Sequence, residues 1–205
     1  MAYRVAVLVS GEGTNLQALL DTVHGRRGIE VACVAASRSE ARALERATRA
    51  GVERAVFAIA AHRDRAARDR ALADWLAERR VDLLVLAGWM EILGSDFIHR
   101  FERRIVNIHP SLLPAFRGVH AIEQALGYGV KVTGVTVHFV DEGVDSGPII
   151  LQEPLDLSYC RDVAEVEERL HEIEHRLLPH AVRLLAAGAV RLDPDNPRLV
   201  HVDDA

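Results

Sequence analysis

Asn107, His109 and Asp145 are the residues of this chain whose types and spacing could do chemistry. The first two belong to the stretch NIHPSLLP, Asn107 to Pro114, which follows a short apolar run of β type at Arg104 to Val106. Two residues apart on a strand, their side chains point to the same side. An amide donor beside an imidazole stabilises a developing oxyanion while supplying a proton. A carboxylate nearby raises the pKa of the imidazole and favours imidazolium, and Asp145 is the best candidate for it. Together they describe acyl or formyl transfer through a tetrahedral intermediate. The plainer reading of His109, a hydrogen-bonded core residue, stays open beside the catalytic one. Ser111 follows Pro110 without a nucleophile elbow and is read as structural. The ten histidines are scattered without ligand spacing, so no metal is expected.

These residues need a scaffold that ends strands where ligands sit. Val5 to Val9 is a continuous apolar run, the mark of a central parallel strand. SGEGTN, Ser10 to Asn15, follows it, and then Leu16, Ala18, Leu19, Leu20 and Val23 recur at helical spacing. A glycine loop opening a helix offers backbone amides and a positive dipole end to a phosphate; a plain tight turn is the equal alternative. Lacking GxGxxG and the P-loop Lys, the loop suits a monophosphate better than a dinucleotide or ATP. Ile29–Ala36 reads as a strand, Glu40–Ala50 as a helix closed by Gly51, and Val52–Ile59 as a third strand. Arg63–Arg80 reads as an Arg-rich helix with Leu72, Trp75 and Leu76 inward; its arginines form a solvated face, or one of them reaches a ligand.

Val81–Ala87 is another apolar strand, ending in Gly88, Trp89, Met90, Glu91, Ile92 and Leu93, which either wall a flat organic ligand or cap the core. A short helix around Ser95–Phe101 leads to the strand bearing Asn107 and His109. Strands alternating with helices imply an α/β fold with a right-handed, doubly wound, mostly parallel sheet. A helix at Val119–Gly127 and strands at Lys131–Val140 and Ile149–Glu153, joined by DEGVDSGP (Asp141 to Pro148), add an antiparallel extension. Val163–Ala187 is a long amphipathic helix with Leu170, Ile173, Leu177 and Leu184 on its apolar stripe and Glu167, His171, Glu174 and His175 elsewhere. The residues after Gly188 are read as a peripheral tail. One domain is expected over residues 1–205.

A net charge of -5 and a pI near 6.1 argue against nucleic acid as a partner. Cys33 and Cys160 are too few for a disulfide framework, which fits a reducing, cytoplasmic setting. The Val5–Val9 run is too short for a targeting signal, and no segment has the length to span a bilayer, so no membrane partner is expected.

SGEGTN, AGWMEIL (Ala87 to Leu93), NIHPSLLP and HFVDEGVDSGPIILQ (His138 to Gln152) together resemble the folate-dependent phosphoribosylglycinamide formyltransferases of purine biosynthesis. The resemblance covers nearly the whole chain. It implies a Rossmann-like formyltransferase fold with a phosphate-binding half (1–100), a catalytic and folate-binding half (101–190) and the tail (191–205). It implies transfer of a formyl group from 10-formyltetrahydrofolate, as co-substrate, to the amine of glycinamide ribonucleotide, by a monomer or homodimer. By this similarity Asn107 holds the formyl oxygen, His109 donates the proton and Asp145 sets the His109 pKa. Gly13, Thr14 and Asn15 match the positions that hold the substrate phosphate, and His171 and Glu174 those that contact the ribonucleotide on the late helix. Folate would lie against Met90, Glu91, Ile92 and Leu93, against Asn107, and against Asp141, Glu142, Gly143, Val144 and Asp145, with Arg65 nearby.

Two residues depart from the family pattern. Glu91 stands where Arg is common, and Glu12 lies inside the phosphate loop, so its carboxylate must turn outward. Alternatives within the chemistry are a formyltetrahydrofolate hydrolase or a methionyl-tRNA formyltransferase, for which the chain lacks the expected added N-terminal or C-terminal domain. The alternative outside it is a non-catalytic folate- or nucleotide-binding module.

Overall fold

Runs of apolar residues without alternation fold here into strands covered on both faces: Val5 to Val9, within strand β1 (Tyr3–Val9), are all fully buried. The computed structural model describes residues 2–160 and 162–203. The chain divides into two compact units, Met1–Val106 and Asn107–Ala205.

In the first unit, helix α1 (Thr14–Thr22) follows β1, and strand β2 (Ile29–Ala36) matches its expected bounds. Helix α2 (Ala43–Arg49) is shorter than the expected 40–50, because residues 40–42 are drawn into a loop that pins its start: the Ala43 N–H donates to Gly11 O at 3.2 Å. Strand β3 (Glu53–Val56) is likewise shorter than expected, giving way to a 3-10 turn at Ile59–Ala61. Helix α3 (Arg65–Glu78) begins where Asp64 accepts the Ala67 N–H at 2.8 Å, a side-chain N-cap. Strand β4 (Leu83–Leu86), helix α4 (Ser95–Arg100) and the start of strand β5 (Ile105–His109) complete the unit. The strand order is β3-β2-β1-β4 with every pair parallel, and the Leu84 N–H donates to Arg104 O beside β5.

In the second unit the rest of β5 is followed by helix α5 (Ala121–Tyr128), strand β6 (Val132–Phe139) and strand β7 (Ile149–Asp156), in the order β5-β6-β7. The β6–β7 pair is the antiparallel extension, with a register shift between Val137 and His138. Helix α6 (Val163–Ala186), capped by Asp162, packs its apolar stripe on β6 and β7. The stretch expected to be a peripheral tail carries a hairpin of its own, β8 (Val190–Leu192) with β9 (Val200–Val202). The Arg198 guanidinium, beside β9, donates to Ser146 O at 2.7 Å, so the hairpin braces the loop that bears Asp145. The mostly parallel α/β sheet with flanking helices is therefore the fold, and no described helix is long and apolar enough to cross a membrane.

Candidate active site

The loop 141–148 is built to present one carboxylate. Asp141 Oδ1 accepts the Gly143 N–H at 3.1 Å and the Ser146 hydroxyl at 2.6 Å, closing a turn. Gly147 lies so close to β6 that a Cβ there would sit 1.8 Å from Phe139 O. Between them Asp145 takes φ of 46°, the left-handed region that Asp tolerates better than most residues.

The side chains expected to work together do meet. Asp145 Oδ2 accepts the Gly118 N–H at 2.8 Å and lies 3.3 Å from His109 Nδ1. Asp145 Oδ1 accepts from Asn107 Nδ2 at 3.2 Å. The other hydrogen of that amide points to His138 Nε2, also at 3.2 Å, while His138 Nδ1 lies 2.8 Å from Phe139 O. These contacts fix the tautomer of a neutral His138: Nδ1–H donates to the carbonyl, leaving Nε2 to accept from Asn107. They also fix the Asn107 amide, since the flipped orientation would set Oδ1 against a carboxylate.

His109 Nε2 lies 2.8 Å from Phe116 O, whose residue holds φ of 51°. Both ring nitrogens thus face acceptors. Even so, its pKa is lowered from the ordinary 6.5: burial disfavours the charged ring, and neither the Phe116 carbonyl nor Asp145 makes up the loss. Asp145 pushes upward as expected, but desolvation is the larger effect. Asp145 itself is half-desolvated, which raises its pKa, yet the neighbouring His138 ring, the charge of His109 and the Gly118 N–H bring it below 3.8. Ser111 is fully buried with its hydroxyl on Ala115 O at 2.6 Å, in keeping with a structural role.

The first unit holds the other predicted residues. Gly13 caps α1 at φ of 74°, and a Cβ there would come within 2.6 Å of Ala43 Cβ. Thr14 and Asn15 open the helix. The Glu12 carboxylate turns outward to Arg42 at 3.2 Å, exposed, so it leaves the loop's amides clear. The Ser10 hydroxyl accepts the Met90 N–H at 2.9 Å and so joins this loop to the next. In that next loop Trp89 and Leu93 are buried, whereas Met90 is 75% and Ile92 64% exposed. Two large apolar side chains presented on a loop suit a flat aromatic ligand. Arg65 is exposed at the start of α3, beside a cavity of about 340 Å³ lined also by Asp69, Arg70, Gly94 and Arg100.

On α6, His171 is exposed, with its ring stacked on that of His175 at 6.1 Å. Glu174 is buried, on the inward side of the helix rather than away from the apolar stripe as expected. Glu142, Gly143 and Val144 are exposed along the Asp145 loop. Among the described residues no group of three or more His, Cys, Asp or Glu side chains is placed to hold a metal ion. Sequence reasoning missed His138 and the Phe116 carbonyl, and it left unresolved which arginine of α3 turns inward.

An amide donor, an imidazole and an anchoring carboxylate at the end of a sheet strand can steady an oxyanion and move a proton, the needs of an acyl-type transferase. The formyl transferase family matches residues 3–182, and the chain belongs to that family. It is 45% identical to phosphoribosylglycinamide formyltransferase of Mycobacterium tuberculosis, over 91% of this chain and 86% of that protein. It is 42% identical to the trifunctional purine biosynthetic protein adenosine-3 of Bos taurus, over 98% of this chain but only 20% of that protein, so it spans about a fifth of that relative's length. The crystal structure of glycinamide ribonucleotide transformylase 1 from Symbiobacterium toebii superposes with a TM-score of 0.93 at 46% identity, covering 99% of this chain and 95% of that one.

Proposed function

We propose that this chain transfers the formyl group of 10-formyltetrahydrofolate to the amine of glycinamide ribonucleotide, in purine biosynthesis, as a single formyltransferase domain. The observation that carries the reading is the convergence of Asn107 and His109 on Asp145. The names of relatives covered over most of their length support it. The folate supplies a formyl carbon bonded to nitrogen, and the residues supply the rest. The backbone amides after Gly13 bind the phosphate, with His171 and Glu174 at the ribonucleotide. Met90 to Leu93, Arg65 and the 141–145 loop hold the folate.

As the amine attacks, charge grows on the formyl oxygen, and Asn107 Nδ2–H stabilises it by exchanging one of its two long 3.2 Å contacts for the oxyanion. His109, kept neutral by burial, takes the proton that the attacking nitrogen releases and delivers it to the departing folate nitrogen. The C–N bond to folate breaks, the new amide forms, and no proton is lost to solvent. Asp145 aligns the ring and stabilises its transient charge. With Cys33 and Cys160 both unpaired, we place the protein in the cytoplasm.

The test is to mix the protein with glycinamide ribonucleotide and 10-formyltetrahydrofolate and follow tetrahydrofolate. Product must depend on the ribonucleotide. Equal rates without it would make the chain a hydrolase, and no product at all would leave a binding module.

A further inference from the structure

We propose that the buried pair Arg68–Asp69 is a positioning device for the 89–94 loop, holding its backbone in the shape that takes the folate; this rests on the functional reading above. Arg68, on α3, is fully buried, and Asp69 is 5% exposed. Arg68 Nε donates to Asp69 Oδ1 at 2.6 Å, Nη2 donates to Ile92 O at 3.2 Å, and the guanidinium lies 5.3 Å from the centre of the Trp89 ring. Asp69 Oδ2, the oxygen not used by Arg68, accepts the Gly94 N–H at 2.8 Å. Two adjacent side chains of one helix therefore hold the loop at its start, middle and end.

The arrangement is costly for mere stability. A buried ion pair replaced by well-packed apolar side chains often leaves a protein equally stable or more so. Here, moreover, Arg68 Nη1 is buried with no hydrogen-bond partner among the described residues. What the pair provides instead is direction. Arg68 grips the carbonyl of Ile92 while the Ile92 side chain stays 64% exposed, so the ligand-facing apolar surface is fixed from beneath. Glu91 has no side chain suited to anchoring an anionic cofactor, which places more of the binding on this backbone. A guanidinium is suited to the task because its planar fork meets a carboxylate, a carbonyl and an aromatic face at once, which a Lys ammonium does not.

The experiment compares Arg68→Met, Arg68→Lys and Asp69→Asn with the wild type. Steady-state rates give kcat and both KM values, a folate analogue is titrated by tryptophan fluorescence, and hydrogen exchange is followed across residues 88–94. For Arg68→Met we expect KM for 10-formyltetrahydrofolate and the analogue Kd to rise about tenfold or more, with kcat and KM for glycinamide ribonucleotide within about twofold and faster exchange confined to the loop. Arg68→Lys should recover part of the loss. Asp69→Asn keeps an acceptor for Gly94 and should give a smaller rise of the same kind; it carries the test if Arg68→Met does not fold. Folate KM unchanged in whichever variants fold would overturn the proposal, as would equal losses in both substrates. A wild type that bound no folate analogue would instead overturn the functional reading, and the exchange measurement would still decide whether the pair holds the loop.

Discussion

His109 Nδ1 lies 3.3 Å from Asp145 Oδ2 while the opposite ring nitrogen lies 2.8 Å from the Phe116 carbonyl. A neutral ring can donate to only one of these acceptors, and an imidazolium could serve both. Burial nevertheless keeps the proton affinity low. The site thus holds a ring that burial biases toward the neutral form, with a fixed acceptor facing each nitrogen for the proton it gains. Those are the conditions for a proton relay.

Asp145→Asn should lower the His109 pKa further, because the carboxylate is one of the groups holding it up against desolvation. Turnover should fall by about a hundredfold or more, the scale of acid–base assistance. The His109 imidazole resonances, followed by NMR against pH in both proteins, check the direction; an unmoved titration would separate the two residues.

His138→Phe should act with the opposite sign on the same titration. His138 acts to lower the His109 pKa, so its removal should raise it. Asn107 would also lose the acceptor for one of its amide hydrogens, and turnover should fall by about tenfold to a hundredfold. The NMR titration and kcat measured on one variant test both parts.

Stability should decline as pH falls below 6.5. With its pKa lowered in the folded chain, His109 takes up a proton more readily when unfolded, so unfolding gains on folding between 6.5 and the folded value and no further below it. Asp145, also lowered, adds stability above 3.8 that is lost as pH falls through its folded value. Urea midpoints of wild type and His109→Gln at pH 7.5 and 5.5 should show a smaller drop for the variant.

How much of this was legible depended on whether the information was local. An unbroken apolar run marked β1, and the period of two put Asn107 and His109 on one side of β5. Asp145 was legible through its motif, but its net effect on His109 was not, since burial is a property of the folded surroundings. His138 escaped notice because a register shift at Val137 and His138 sets its aim, and no local pattern encodes that. Arg68 carried a signal that was passed over. It lies one turn before Leu72, on the inward stripe of α3, whereas Arg70 lies on the opposite face.

Gly13→Ala should weaken phosphate binding and stability together. The backbone there has φ of 74°, which costs an L-residue about 1–2 kcal/mol, and the new methyl would press on Ala43 Cβ at 2.6 Å. Relief requires the loop and α2 to part, which displaces the amides offered to the ligand. KM for glycinamide ribonucleotide should rise by about tenfold or more while the folate analogue binds as before.

Gly147→Ala tests whether the Asp145 loop is set by backbone contact. An added methyl would overlap the Phe139 carbonyl at 1.8 Å, and that oxygen cannot rotate away because it accepts from His138 Nδ1. The loop must therefore lift, at a cost of about 1–3 kcal/mol for overpacking. Lifting it draws Asp145 from Asn107 and His109 together, so kcat should fall in parallel with that of Asp145→Asn. The control is Gly118→Ala, where the nearest atom to the new methyl, Val144 Cγ1, is 4.0 Å away and only the φ of 79° is strained. Urea denaturation and kcat on the two variants should rank Gly147→Ala well below Gly118→Ala; equal effects would mean that the loop owes its place to side chains instead.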